Sequence, residues 1–226
     1  MRRWHAFSDS RTGDLLFRVV AIGFLGTALL AGVRQLVPAL RTLPAMWPNT
    51  EIAAAVVARL TSILFVLLMI GLYLARDRAV QKSVGVLPRV TALLATLTIP
   101  VGQTFLDPAG ALVRSLLGFA MVVTGKLLAI LSLVFLGRSF SIMPEARHLV
   151  TAGPYGLVRH PLYFAEQVAS VGVLLPLDLR IGVPLLVAQL ALQLSRIRFE
   201  ERVLVAQFPE YRDYQRQTPM LIPRIL

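Results

Sequence analysis

Four long apolar runs constrain this chain more than any other feature. They cover residues 15–37, 52–75, 86–106 and 111–136. Each is near the ~20 residues an α-helix needs to cross the hydrocarbon core of a bilayer. Of the 226 residues, 56% are hydrophobic and 15% charged, where a soluble domain holds about 45–50% and about 25%. Mean hydropathy is +0.70. These observations predict an all-α, polytopic transmembrane helix bundle. The first run lacks a small-residue cleavage site followed by polar sequence, so it reads as a span and not a signal peptide. Arg18 and Arg34 lie near its ends, where they can snorkel. Pro100 is expected to kink the third run. Arg59 and Lys126 fall inside the second and fourth runs, where a charge must snorkel or face protein.

The formal net charge is +11, and all but two of the 23 cationic residues are arginine. The arginines are scattered between apolar runs and not arrayed on a polar surface, which argues against a nucleic-acid partner. They fit topology determinants and lipid headgroups better, because cytoplasmic loops of membrane proteins are rich in Lys and Arg. Arg2, Arg3 and Arg11 precede the first run, and Arg76, Arg78, Lys82 and Arg89 follow the second. The third connection has only Asp107 and Arg114, and the first, with Arg34, Arg41 and Glu51, is intermediate. The bias puts the N-terminus, the second connection and the C-terminal third in the cytoplasm. The arginine- and alanine-rich composition suggests a bacterial inner membrane.

The character changes after residue 136, which divides the chain into spans 1–136 and a polar region 137–226. Residues 137–160, "GRSFSIMPEARHLVTAGPYGLVRH", are rich in Gly and Pro and break helical periodicity. Apolar arms at 162–177 and 181–194 flank a turn at 178–180 and predict a helical hairpin. Each arm is short for a full crossing, and the second continues into "SRIRFEERVLVAQF" as one long helix. The end, "PEYRDYQRQTPMLIPRIL", reads as an amphipathic or interfacial tail.

Several chemistries are excluded. No cysteine is present, which removes disulfides, thiolate metal sites and cysteine nucleophiles. No dinucleotide fingerprint, P-loop, zincin motif or nucleophile elbow occurs. His5, His148 and His160 are too dispersed to form a metal site by local spacing. Polar residues gather instead in "RHLVTAGPY" (147–155), "RHPLY" (159–163) and "RIRFEERVLVAQFPEY" (196–211). On the long helix Arg196 and Glu200 are four apart and share a face, as do Arg198 and Arg202, with Glu201 between the rows. Each feature alone has a plainer reading. His160 could simply start a helix before Pro161. Arg196 and Glu200 could be an ordinary helix ion pair, and the tyrosines interfacial belt residues. Arg159 could face phosphate headgroups, and Glu166 has no assigned role.

Taken in order, "HLVTAGPYGLVRHPLY", a hairpin and "RIRFEERVLVAQFPEYRDYQRQTPMLIP" resemble the isoprenylcysteine carboxyl methyltransferase family and its phospholipid methyltransferase relatives. The resemblance covers about the last 90 residues. It implies S-adenosylmethionine in an enclosed pocket at the cytoplasmic membrane face. Family cofactor contacts fall on Arg147, His148, Leu149, Val150, Tyr155, His160, Pro161, Leu162, Tyr163 and Glu200. The family's substrate-directed arginine falls on Arg196, making Arg196 and Glu200 the expected catalytic pair. Two departures stand out: the segment between Phe140 and Arg147 is short, and Arg147 replaces a histidine of the eukaryotic enzymes.

The chemistry is consistent with that implication. A carboxylate such as Glu200 can bind the cofactor's cationic part or ribose. Backbone around 147–150 can hold a base edge, and His160 and Tyr163 can donate to a carboxylate. Methyl transfer is an in-line displacement, so the protein mainly supplies proximity and orientation, with no metal implied. The expected partners are membrane lipids and a lipophilic or amphiphilic methyl acceptor. Membrane sterol and steroid reductases, which use NADPH, share an Arg-His-x-x-Tyr element, but they carry a Lys-Tyr-Gly-x-x-Trp stretch where this chain has "FPEY". A membrane scaffold without activity is the other alternative, opposed by the joint presence of His160, Tyr163, Arg196 and Glu200.

Overall fold

The computed structural model describes residues 11–42, 50–105 and 112–223. Arg2, Arg3, His5 and Asp107 lie outside the described residues, as do the side chains of Arg11, Arg18 and Pro100. The elements run α1 (Arg11–Thr42), α2 (Thr50–Ala75), β1 (Gln81–Lys82), α3 (Leu87–Phe105), α4 (Leu112–Leu136), β2 (Glu145–Ala146), α5 (Pro161–Leu174), α6 (Leu179–Gln207) and α7 (Tyr211–Gln217). Short 3₁₀ turns cover Gly137–Ser139 and Gly153–Gly156.

The four apolar runs each become a helix. Three of these, α1, α2 and α4, are long and apolar enough to cross a membrane. Their outer faces are bare hydrocarbon: Leu64 stands 54% exposed and Val134 60%. The chain is an integral membrane protein with an all-α architecture. α3 is the shorter and more polar fourth run, with Thr91, Thr96 and Thr98 folded back onto carbonyls of their own helix. It packs along α6, so it needs a lipid-facing apolar surface on only part of its circumference. The helix continues through Pro100.

Small residues let the hairpin approach α4 closely, a common way to gain packing between helices in lipid. A Cβ built on Gly125 would stand 2.5 Å from the Ala169 nitrogen and 2.7 Å from the Ala165 oxygen. One built on Gly172 would meet the Gly118 oxygen at 2.5 Å. Ala165, Ala169 and Gly172 recur at helical spacing on α5, which explains why α4 and α5 form the most extensive helix pair. Arg114, at the start of α4, closes the hairpin tip by donating to the carbonyls of Leu175 and Leu177. At 1.5 Å per residue, the 14-residue α5 is about 21 Å long, short of the ~30 Å hydrocarbon core. The 29-residue α6 carries the second arm onward without a break, as its sequence predicts.

The core that positions the polar end runs from α1 through α2 and α4, with Phe65, Met69, Tyr73, Ala129 and Leu133 packed on Phe140, Ile142 and Leu162. Antiparallel pairing of β1 with β2 joins the α2–α3 connection to the segment after α4. The tail packs one side on the folded core: Tyr211 is 1% exposed, and Thr218 and Leu221 are also buried, while Arg212, Asp213, Arg216 and Gln217 are exposed. The Pro219 and Met220 carbonyls accept from the backbone N–H groups of Arg159 and His160 at 2.8 and 3.0 Å. Two extended segments without a sheet thereby satisfy each other's polar groups.

Candidate functional site

The polar cavity at this end is built by three elements. The segment 139–150 forms one wall, the 3₁₀ turn with the start of α5 a second, and the C-terminal half of α6 a third. Its lining contains Arg147, His148, Leu149, Val150, Tyr155, His160, Leu162, Tyr163 and Glu200. Residues scattered over 54 positions of sequence thus face one space. Pro161 opens α5 as its first residue and is buried, and is not among the lining residues.

Tyr163 and Glu200 form the inner contact. The phenol donates to the Glu200 Oε2 at 2.5 Å. The His160 ring stacks on Tyr163 with centroids 5.5 Å apart and planes 17° from parallel. The Arg196 guanidinium also lies over this ring, 4.8 Å from its centroid. Arg196 is only 4% exposed. Its Nη2 donates to the Ile142 carbonyl at 2.8 Å. It is not among the residues lining the cavity. An arginine expected to face the substrate is therefore placed behind Tyr163, where it clamps the ring and the 142–143 wall. Nor does it form a simple ion pair with Glu200, which is turned to Tyr163.

Arg147 closes the opposite wall. Its Nε donates to the Asp77 carbonyl at 2.7 Å and its Nη2 to the Glu145 carboxylate at 2.6 Å. Its Nη1 is buried without a partner. An unsatisfied guanidinium nitrogen at a cavity wall is costly unless a ligand or water meets it. His148 is turned outward, with its side chain 65% exposed and its Nε2 3.3 Å from Asp77. Tyr155 is buried, and its carbonyl accepts from the Tyr214 hydroxyl at 2.5 Å. Burial, then the Glu200 charge, pushes the Tyr155 phenol well above its ordinary range. Tyr155 is thus a neutral hydrogen-bonding group at any working pH.

Glu201 is the residue that sequence reasoning passed over. Its Oε1 accepts from Arg159 Nε at 2.8 Å, lies 3.1 Å from His160 Nε2 and accepts from the Tyr211 hydroxyl at 3.3 Å. Its Oε2 accepts from Gln215 at 3.0 Å. Burial alone would raise its pKa. Hydrogen bonding and charge from His160, followed by those from Arg159, outweigh burial and hold it at about 2. Arg159 is likewise not a headgroup ligand. It also donates to the carbonyls of Gln215 and Thr218 and ties the tail to α5. The available signal was the second glutamate of "FEER", about 100° around the helix from the first.

Among the described residues, no group of three or more His, Asp or Glu side chains is arranged to hold a metal ion. Fold and cavity together define a class: an intramembrane helix bundle with a polar, enclosed site at one end. Residues 113–211 match the family model described as phospholipid methyltransferase, a segment that holds α4, the hairpin and most of the cavity. The chain shares the fold of the eukaryotic intramembrane Ras methyltransferase ICMT, isoprenylcysteine carboxyl methyltransferase. The TM-score is 0.53 at 18% identity, over 89% of this chain and 74% of that one. The membrane methyltransferase resemblance is thus borne out at the level of fold and matched segment. Two curated relatives are closer in sequence. The cobalt-zinc-cadmium resistance protein CzcN of Cupriavidus metallidurans is 32% identical over 140 residues, covering 60% of this chain and 61% of that protein. The nickel-cobalt-cadmium resistance protein NccN of Alcaligenes xylosoxydans xylosoxydans is 34% identical over 118 residues, 52% of each chain. The chain thus spans about half to three-fifths of these relatives.

Proposed function

We infer that this protein is an integral membrane methyltransferase that uses S-adenosylmethionine and methylates a lipophilic or small amphiphilic acceptor. Its site would face the cytoplasm, from a bacterial inner membrane. The observation that carries this reading is one cavity lined both by the hydrogen-bonded Tyr163–Glu200 pair and by Arg147, whose buried Nη1 has no partner.

The residues present suit the cofactor chemically. It has a sulfonium cation, a zwitterionic amino-acid end and a purine. Glu200 offers negative charge to the cationic part or the ribose, and Arg147 Nη1 and His160 offer donors to a carboxylate. Leu149, Val150 and Leu162 offer apolar surface to a ring. The cavity as it stands is only about 60 Å³, whereas small-molecule clefts run about 300–1,000 Å³. Loading it therefore entails outward movement of lining side chains, and the 148–150 segment, with His148 exposed and Leu149 and Val150 half-buried, is the wall with least to lose.

When bound, the cofactor supplies an activated methyl group. The chain's own residues do the rest. Tyr163, in ring contact with both His160 and Arg196, fixes the direction of Glu200. Walls of Leu136, Met143 and Leu204 keep water out, which removes the hydration shell of an incoming nucleophile. Arg196 would act mainly by positioning Tyr163, and would act on an acceptor directly only from behind that ring. A carboxylate, amine or thiol acceptor each fits this arrangement.

Purified protein titrated with S-adenosylmethionine, its demethylated product and NADPH tests the reading. Binding of the first two is expected, and Glu200→Gln should weaken it at least tenfold, the loss of a charged hydrogen-bonding partner. Binding of NADPH alone would instead establish the reductase class.

A further inference from the structure

The polar end carries a second cavity that methyl transfer leaves unused. A groove of about 680 Å³ lies between the β1–α3 connection and α6. It shares no lining residue with the cavity around Tyr163. The helical period of α6 explains the separation, because Glu200 and Leu204 face one side while Phe199, Val203 and Ala206 face another. On the opposing wall stand Val86, Leu87 and Pro88. Val84 and Leu87, at its lip, are 70% and 67% exposed. That is a large amount of bare hydrocarbon for the polar end of a bundle.

Among the described residues, the charges lining this apolar trough are cationic. Lys82 and Arg202 line the groove itself. Past Arg202 the surface continues into a depression of about 470 Å³ that holds Arg198, Arg212 and Glu201. Glu201, the only carboxylate there, is already engaged by Arg159, His160, Tyr211 and Gln215. Arg198, Arg202 and Arg212 are exposed. Cations beside an apolar trough, at the end of a membrane-spanning bundle, match an amphiphile with an anionic head. A soluble anion would leave the trough wetted. A zwitterionic lipid would gain the burial without net attraction.

We propose that this groove binds one anionic phospholipid from the surrounding leaflet, its acyl chain against Leu87, Phe199 and Val203 and its phosphate between Lys82 and Arg202. The lipid bridges the start of α3 to the helix that carries Glu200. This site is independent of the methyltransferase reading and is tested without any turnover.

Native mass spectrometry of the purified protein in mild detergent, with equal phosphatidylglycerol and phosphatidylcholine, reads the preference. One phosphatidylglycerol should be retained at least tenfold over phosphatidylcholine, with the preference shrinking as salt rises. Lys82→Gln with Arg202→Gln should abolish the preference, and Arg180→Gln at the hairpin tip should not. A second readout serves if the double variant fails to fold. Tryptophan placed at Leu87→Trp should be quenched more strongly by bromine-tailed phosphatidylglycerol than by the matching phosphatidylcholine. Equal retention of the two lipids, an unchanged double variant or equal quenching would overturn the proposal and leave only nonselective annular lipid.

Discussion

Glu201 shows how much a single side chain contributes to this site. It accepts from two segments far apart in sequence, Arg159–His160 and Tyr211–Gln215. Removing a partly buried carboxylate from a charged partner is strongly destabilising, because the partner is left uncompensated, at about 3–5 kcal/mol. Glu201→Ala should therefore lower the thermal unfolding midpoint well below that of Arg198→Ala on the exposed side of the same helix. The acid limb follows from the same contacts. A carboxylate held at about 2 in the folded state adds stability above its ordinary unfolded range near ~4.3. That stability is lost as pH falls through about 2. Unfolding midpoints of wild type and Glu201→Gln should thus converge between about pH 4 and pH 2, and parallel curves would dismiss the assignment. The sequence made Glu200 legible through its resemblance and its face shared with Arg196. Glu201 was illegible because its value depends on a tail that returns from sequence positions 211–220, a contact that no local spacing encodes. Arg196 shows the reverse limit: its presence was readable, but whether it stood before or behind Tyr163 was a matter of tertiary packing.

At the scale of elements, the membrane simplifies the code. Long apolar runs must become helices, because lipid offers backbone groups no other partner, and α1, α2 and α4 were legible for that reason. The long continuation of α6 was legible too, since no breaker stands between Gln189 and Gln207. How the tail seats on the core was not legible, because its aromatic and basic residues suit an interface equally well. Only the carbonyls of Pro219 and Met220 decide the matter, and carbonyls have no sequence signature. The contact of α4 with α5 was also invisible as a pattern, yet it is where substitution should matter most. Gly172→Val would drive carbon into the Gly118 oxygen and the Met121 Cβ. It cannot be accommodated by a flexible side chain, so a loss at or above the ~1–3 kcal/mol typical of overpacking is expected. The same change at Gly23, where a Cβ would meet nothing within 4 Å, should leave the unfolding midpoint within a degree or two. Equal tolerance at both positions would mean that the hairpin does not seat against α4 as described.

For the molecule as a whole, the charge distribution now has a spatial meaning. Arg76, Arg78 and Lys82 belong to the connection whose strand pairs with β2, and Arg89 lies in the first turn of α3. They share one end of the bundle with Arg138, Arg147, Arg159, Arg198, Arg202, Arg212 and Arg216. Arg34 and Arg41, near the end of α1, and Arg114 and Arg180, by the hairpin tip, are left for the other end. The asymmetry follows the sequence reading, because folding gathers the C-terminal third onto the same end as the second connection. Under the function proposed above, positive-inside bias would put the candidate cavity at the cytoplasmic face. The chain has no native cysteine, so one introduced thiol reports this without interference. Gln217→Cys, at the exposed end of α7, should react with a membrane-impermeant maleimide in inside-out vesicles and stay unlabelled in intact spheroplasts. A cysteine at Arg41, near the opposite end of α1, should show the reverse. Labelling of Gln217→Cys from outside would place the cavity on the far side of the membrane from the cell's cofactor supply, and the methyltransferase reading would fall with it.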